Sequence, residues 1–164
     1  MKILTIGGRD YTFEFSIEAS LYNECTEKIT SLMVGVGQAR EGESGDSSEK
    51  IKNVISTISN VPVVAMTMFY AGLLEHHGPS GDGAVKGMKD AKTLVRQYLT
   101  EHKDDDKGNF YSVMDEMIEC MEDDGFFELT GMTRMLKNGD EEVAKKAHKV
   151  PQDHKKKSVG VTKN

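Results

Sequence analysis

The sequence has no tryptophan, only two cysteines among 164 residues and no long unbroken apolar run. Each shortage excludes something. The uncharged stretch from Val54 to Leu74 carries Ser56, Thr57, Ser59, Asn60 and Pro62, far from the ~20 predominantly apolar residues of a spanning helix, so no membrane partner is expected. Cys25 and Cys120 cannot build a disulfide scaffold. The opening residues (Met1, Lys2, Ile3, then Thr5 and Gly7) provide no apolar signal-peptide core, so the expected compartment is a reducing cytoplasm. Hydrophobic residues make up 37% of the chain, which allows a lean core. Basic residues are outnumbered 21 to 27, giving −6; phosphate binding needs concentrated Lys and Arg, so nucleic acid is not an expected partner.

Ten methionines stand beside the missing tryptophan, and methionine is a flexible filler that recurs on surfaces fitting more than one partner shape. Charge is uneven along the chain. Residues 137–164 hold eight lysines against four acids, +4, leaving 13 basic against 23 acidic residues, −10, in residues 1–136. The final stretch also lacks aromatics, and Val143, Val150, Val159 and Val161 are too few to offset the ordering entropy of a fold. The expected organisation is an acidic body over residues 1–136 and a disordered basic tail over residues 137–164.

The body reads as mainly α (α+β), about five helices with an N-terminal β-hairpin. Ile3 to Ile6 form a first strand, Gly7-Gly8-Arg9-Asp10 a turn, and Tyr11, Phe13 and Phe15 the apolar face of a second strand. Ser16 offers an N-cap for a helix over about 17–36, with Ile17, Leu21, Cys25, Ile29, Leu32, Met33 and Val36 at helical spacing. A polar loop around Gly37, Gly42 and Gly45 precedes a second helix, about Ser48 to Ser59. Pro62, suited to a first helical turn, then opens a third, Val63 to Glu75. The fourth runs from about Met88 to His102 on Ala91, Leu94, Val95, Tyr98 and Leu99. The fifth runs from about Asn109 to Asp123, with Phe110, Val113, Met114, Met117, Ile118 and Met121 on one face and Asp124-Gly125 as its stop.

Catalytic templates fail on spacing. The glycine-rich segment Gly78 to Gly87 has no Ser or Thr after Lys86, so it is no phosphate loop. Aligning the acids at Asp104 as a calcium loop would place Lys103 and Met114 at ligand positions. His76, His77, Asp82 and His102 are the best metal candidates, but adjacent helical histidines point about 100° apart. A solvated helix C-terminus is the expected role of His76 and His77. Cys25 and Cys120, on apolar faces, read as buried structural thiols. No catalytic residue, metal or cofactor is expected. The thioethers suit binding instead: Met66, Phe69 and Leu73 on the third helix and Met114, Met117 and Met121 on the fifth are candidate partner contacts lining a groove for an amphipathic helix. Ordinary core remains the alternative reading of these side chains.

Three blocks carry a resemblance. Ile3-Leu4-Thr5-Ile6-Gly7-Gly8-Arg9-Asp10-Tyr11-Thr12-Phe13-Glu14-Phe15-Ser16, Phe69-Tyr70-Ala71-Gly72-Leu73-Leu74-Glu75-His76-His77-Gly78 and Met121-Glu122-Asp123-Asp124-Gly125-Phe126-Phe127 resemble the tail assembly chaperones of long-tailed phages infecting Gram-positive bacteria. The likeness spans residues 1–130 in order. It implies a helical, non-enzymatic protein of the host cell cytoplasm that binds the phage tape measure protein and keeps it soluble. Such a chaperone delivers its client for assembly of the tail tube, in some cases as a homo-oligomer, and is absent from the mature virion. Contact with the tail tube protein is a further implied partnership. Many such chaperones also exist in a longer form made by programmed frameshift, which would here diverge in the tail after Lys137. The competing expectation, from a different class, is a minor structural tail protein, a connector or completion protein of the virion.

Overall fold

The computed structural model describes residues 1–31 and 47–134, with the backbone alone for 47–58. Strand β1, Lys2–Ile6, pairs antiparallel with β2, Arg9–Phe13, in the register Lys2↔Phe13, Leu4↔Tyr11 and Ile6↔Arg9. Gly7 and Gly8, at φ 63° and 74°, make the two-residue turn, since a tight hairpin turn of this hand needs positive φ at both central positions. The turn is shorter than expected: Arg9 and Asp10 belong to the ladder. Alternation then puts Ile6, Tyr11 and Phe13 in the core and leaves Ile3 and Thr5 exposed. Phe15, just past β2, is also buried.

The first helix departs from expectation. Ser16 caps α1, Ile17–Leu21, accepting from the Glu18 N–H. The helix stops at Tyr22 (φ −80°, ψ 90°), and a second, α2, begins at once; residues 23–31 of it are described. The break shifts the helical phase. Cys25 and Ile29 on α2 are buried as the spacing predicts, whereas Ala19 is the buried residue of α1, and Ile17 and Leu21 are 64% and 70% exposed. Tyr22 fixes the break by tertiary contact, its ring edge-on to Tyr70 at 5.3 Å. Leu32, Met33, Val36 and the glycine loop lie outside the described residues.

The second and third expected helices are one. Helix α3, Ser47–His77, runs through Pro62, which forfeits a single backbone N–H bond inside the helix. What carries the helix past that loss is burial: Val61, Val64, Ala65, Met68, Phe69, Ala71 and Leu73 are all at most 3% exposed. A helix apolar on most sides must be surrounded. Here β2, α1, α4 and α5 all pack on α3.

Helices α4, Met88–Glu101, and α5, Phe110–Asp123, match expectation. Helix α4 buries Ala91, Val95 and Tyr98, and α5 buries Val113, Met114, Met117, Cys120 and Met121. Asn109 caps α5, its side-chain oxygen accepting from the Ser112 N–H at 3.0 Å. A short helix α6, Phe126–Leu129, follows and turns Phe126 into the core. None of the described helices is long and apolar enough to cross a membrane. The described residues up to Met132 form one compact unit, which ends four residues ahead of the expected boundary at 136. The expected tail, 137–164, lies outside the described residues.

Candidate functional site

The six candidate partner contacts are mostly interior. Phe69, Leu73, Met117 and Met121 are fully buried, Met114 is 9% exposed, and Met66 alone is half-buried. The cause is the hairpin, which lies on α3 with Phe13 edge-on to Phe69 at a ring separation of 4.8 Å. The thioethers of α5 therefore fill the core, and the groove expected between the Met-bearing helices is occupied by this chain's own side chains.

Glycine 72 makes that close approach possible. A Cβ there would lie 3.0 Å from Phe13 Cδ1 and 3.3 Å from the Phe15 ring. Its carbonyl also accepts the Glu14 N–H at 2.9 Å, tying the end of β2 to the helix.

His77 supplies the next tie, and here the sequence reading needs correction. Instead of sitting in solvent it is 8% exposed, with both ring nitrogens engaged. Nε2 accepts the Thr12 N–H at 2.9 Å, so the proton of the neutral ring belongs on Nδ1, which donates to Asp82 Oδ2 at 2.9 Å. The Tyr11 ring meets the imidazole edge-on at 5.2 Å. Asp82 also accepts from Arg9 Nη2 at 3.1 Å, and the same guanidinium lies 5.1 Å from the Tyr11 ring centre. The Ala84 N–H, then His77 and Arg9, hold the Asp82 carboxyl below its ordinary range. His76 faces a different partner, Glu14, at 2.7 Å.

This is structural rather than metal-binding geometry. Nε2 of His77 already has a proton donor against it, and His102 pairs with Asp105 at 2.7 Å rather than joining the other histidines. Among the described residues no group of three or more His, Cys, Asp or Glu side chains is placed to hold a metal ion.

At the other end of the hairpin, Asp124 closes α5. It accepts the Phe15 N–H at 2.8 Å and pairs with the Met1 ammonium. Burial alone would raise its carboxyl, but these donors outweigh it and hold it below the usual carboxylate range. The thiols of Cys25 and Cys120 are buried and free. Burial pushes each up to about 12, with Asp124 adding to the effect at Cys120, so neither is a ready nucleophile.

One concave feature lies outside this packing centre. Asp106, Lys107, Ser112, Asp115, Glu116 and Glu119 line a cleft of about 420 Å³. Lys2 of β1 pairs with Glu116 and Glu119, and Lys107 reaches Glu116 at 3.2 Å. Burial works to raise the Glu116 carboxyl, but the two ammonium groups outweigh it and hold it low. Sequence reasoning missed this cleft because its members look like a solvated acidic face; the only signal was the density of acids from Asp104 to Glu119. It contains no nucleophile–base pair, and what it offers is negative charge. No family model matches the chain, and neither a curated protein nor a solved structure matches it.

Proposed function

We propose that this chain is a tail assembly chaperone of a long-tailed phage, a non-enzymatic protein that binds the tape measure protein in the host cytoplasm and delivers it for assembly of the tail tube. The observation that carries the reading is convergence. The three sequence blocks that resemble the chaperone family are far apart in the chain, yet they pack against one another: Phe13 on Phe69, Phe15 on Phe126 at 5.4 Å, Thr12 on His77 and Phe15 on Asp124. Residues that position one another are the ones a shared fold would retain, so the resemblance follows the packing centre.

The client contacts then fall to side chains that are accessible. Ile17 and Leu21 on α1 and Val63 on α3 are at least half exposed, and Met66 is half-buried. A tape measure chain exposes apolar helical stripes until it is encased, and a chaperone needs accessible apolar side chains on a charged, dispersing body. Residues 1–136 carry −10.

Co-expression tests the proposal. A tape measure protein expressed with this chain should move from the insoluble to the soluble fraction and co-purify with it. Equal solubility with and without it, and no complex, would reject the reading. Mass spectrometry of purified virions should find the chain absent; stoichiometric presence would instead favour a connector or completion protein.

A further inference from the structure

Among the described residues, strand β1 has an open edge. In an antiparallel ladder alternate residues turn their backbone groups outward, and with Lys2, Leu4 and Ile6 bonded to β2 the outward residues are Ile3 and Thr5. Among the described residues no hydrogen bond is made by the N–H or C=O of either one. Ile3 is 60% exposed, Thr5 is exposed, and no proline interrupts the strand. The usual blunting devices are missing too: the one lysine, Lys2, is drawn off the edge to Glu116 and Glu119.

Those two acids belong to the cleft, so the open edge and the cleft adjoin. The cleft is lined by Lys107 and by four carboxylates, Asp106, Asp115, Glu116 and Glu119, and Lys2 reaches two of these from β1.

The geometry points to β1 as a docking edge for an extended polypeptide segment bearing lysine or arginine, which adds as a third strand through the Ile3 and Thr5 backbone while a basic side chain enters the acidic cleft. Main-chain pairing supplies adhesion without sequence demand, and the cleft supplies the choice of charge. Charge also decides between occupants. The body of a second copy would bring another −10 to an acidic surface, while the eight lysines over 137–164 of such a copy are told apart from a foreign segment by mass in the test. The inference is independent of the chaperone reading, because it depends only on the edge and the cleft.

The test uses the full chain, labelled with nitrogen-15, and two synthetic peptides, Ac-KVKVKVK-amide and Ac-EVEVEVE-amide. The basic peptide should bind saturably, shift the Ile3 and Thr5 amides and slow their exchange, while the acidic peptide should not bind. Thr5→Pro should weaken the basic peptide about tenfold, because it removes one donor from the edge while sparing the β1–β2 ladder. Methylating alternate peptide nitrogens, which leaves the protein untouched, should do the same. Asp115→Asn with Glu119→Gln should weaken binding about threefold and flatten its salt dependence. Equal binding of both peptides, unmoved Ile3 and Thr5 amides, or full affinity for the methylated peptide would overturn the proposal. So would a doubled mass in light scattering that Thr5→Pro abolishes, which would give the edge to a second copy.

Discussion

The two edges of the hairpin are built from strands of equal length and end in opposite ways. Along β2 and the residue after it the outward amides of Thr12 and Glu14 are taken by α3, one by the His77 ring and one by the Gly72 carbonyl, while that of Asp10, nearest the turn, has no such partner among the described residues. On β1 the outward amides of Ile3 and Thr5 have no such partner among the described residues. The difference shows what makes an isolated hairpin stable. Two strands alone are marginal in water, and this pair is held because one edge and one face are finished by a helix. Among the described residues nothing finishes the opposite edge.

The largest test of the finished edge is Gly72→Val. A side chain there must displace Phe13 and Phe15, which are themselves fully packed, so a loss of about 3 kcal/mol in unfolding free energy is expected from urea titration. An unchanged midpoint would mean that the hairpin does not sit against α3 as described. His77→Leu comes next. It fills the space but leaves the part-buried Thr12 N–H without an acceptor, which should cost about 1–2 kcal/mol. The Thr12 amide should then exchange faster. Loss of stability without faster exchange at Thr12 would point to packing instead.

Acid should act on the ends of the hairpin, through Asp82 and Asp124 and, beyond β1, Glu116. All three are held below their ordinary range when folded, so each stabilises the fold above its unfolded pKa, and that contribution disappears as pH falls through the lowered folded value. The melting temperature should therefore hold through neutral pH and fall as pH drops below the ordinary carboxylate range. Asp124→Asn should shrink that dependence; an unaltered pH profile would show that the Phe15 and Met1 contacts are not the cause. The smallest effect belongs to the open edge, where Ile3→Thr should change stability by no more than about 0.5 kcal/mol because nothing packs on Ile3 from outside.

The same contrast explains what could be read from the sequence. Local rules were enough for the hairpin, where Gly7-Gly8 and the alternation of Tyr11 and Phe13 agree, and for α4 and α5, whose apolar spacing and Asn109 cap are contained within each segment. They failed wherever a distant residue decided. Tyr22 breaks the first helix against Tyr70, and burial by four other elements carries α3 past Pro62. His77 is buried by β2, more than 60 residues earlier in the chain. The candidate groove failed for the same reason, since spacing shows that Met114, Met117 and Met121 share a face but not that the face is already filled. The acidic cleft showed only as a local run of acids, because the Lys2 pairing that ties it to β1 spans more than 100 residues.

Amide hydrogen exchange on the native chain, read at Ile3, Thr5, Thr12 and Glu14, tests the contrast between the edges most directly. Thr12 and Glu14 should be strongly protected, while Ile3 and Thr5 should exchange close to the rate of free peptides. Equal protection at all four positions would contradict the account, because it would mean that both edges of the hairpin are already closed.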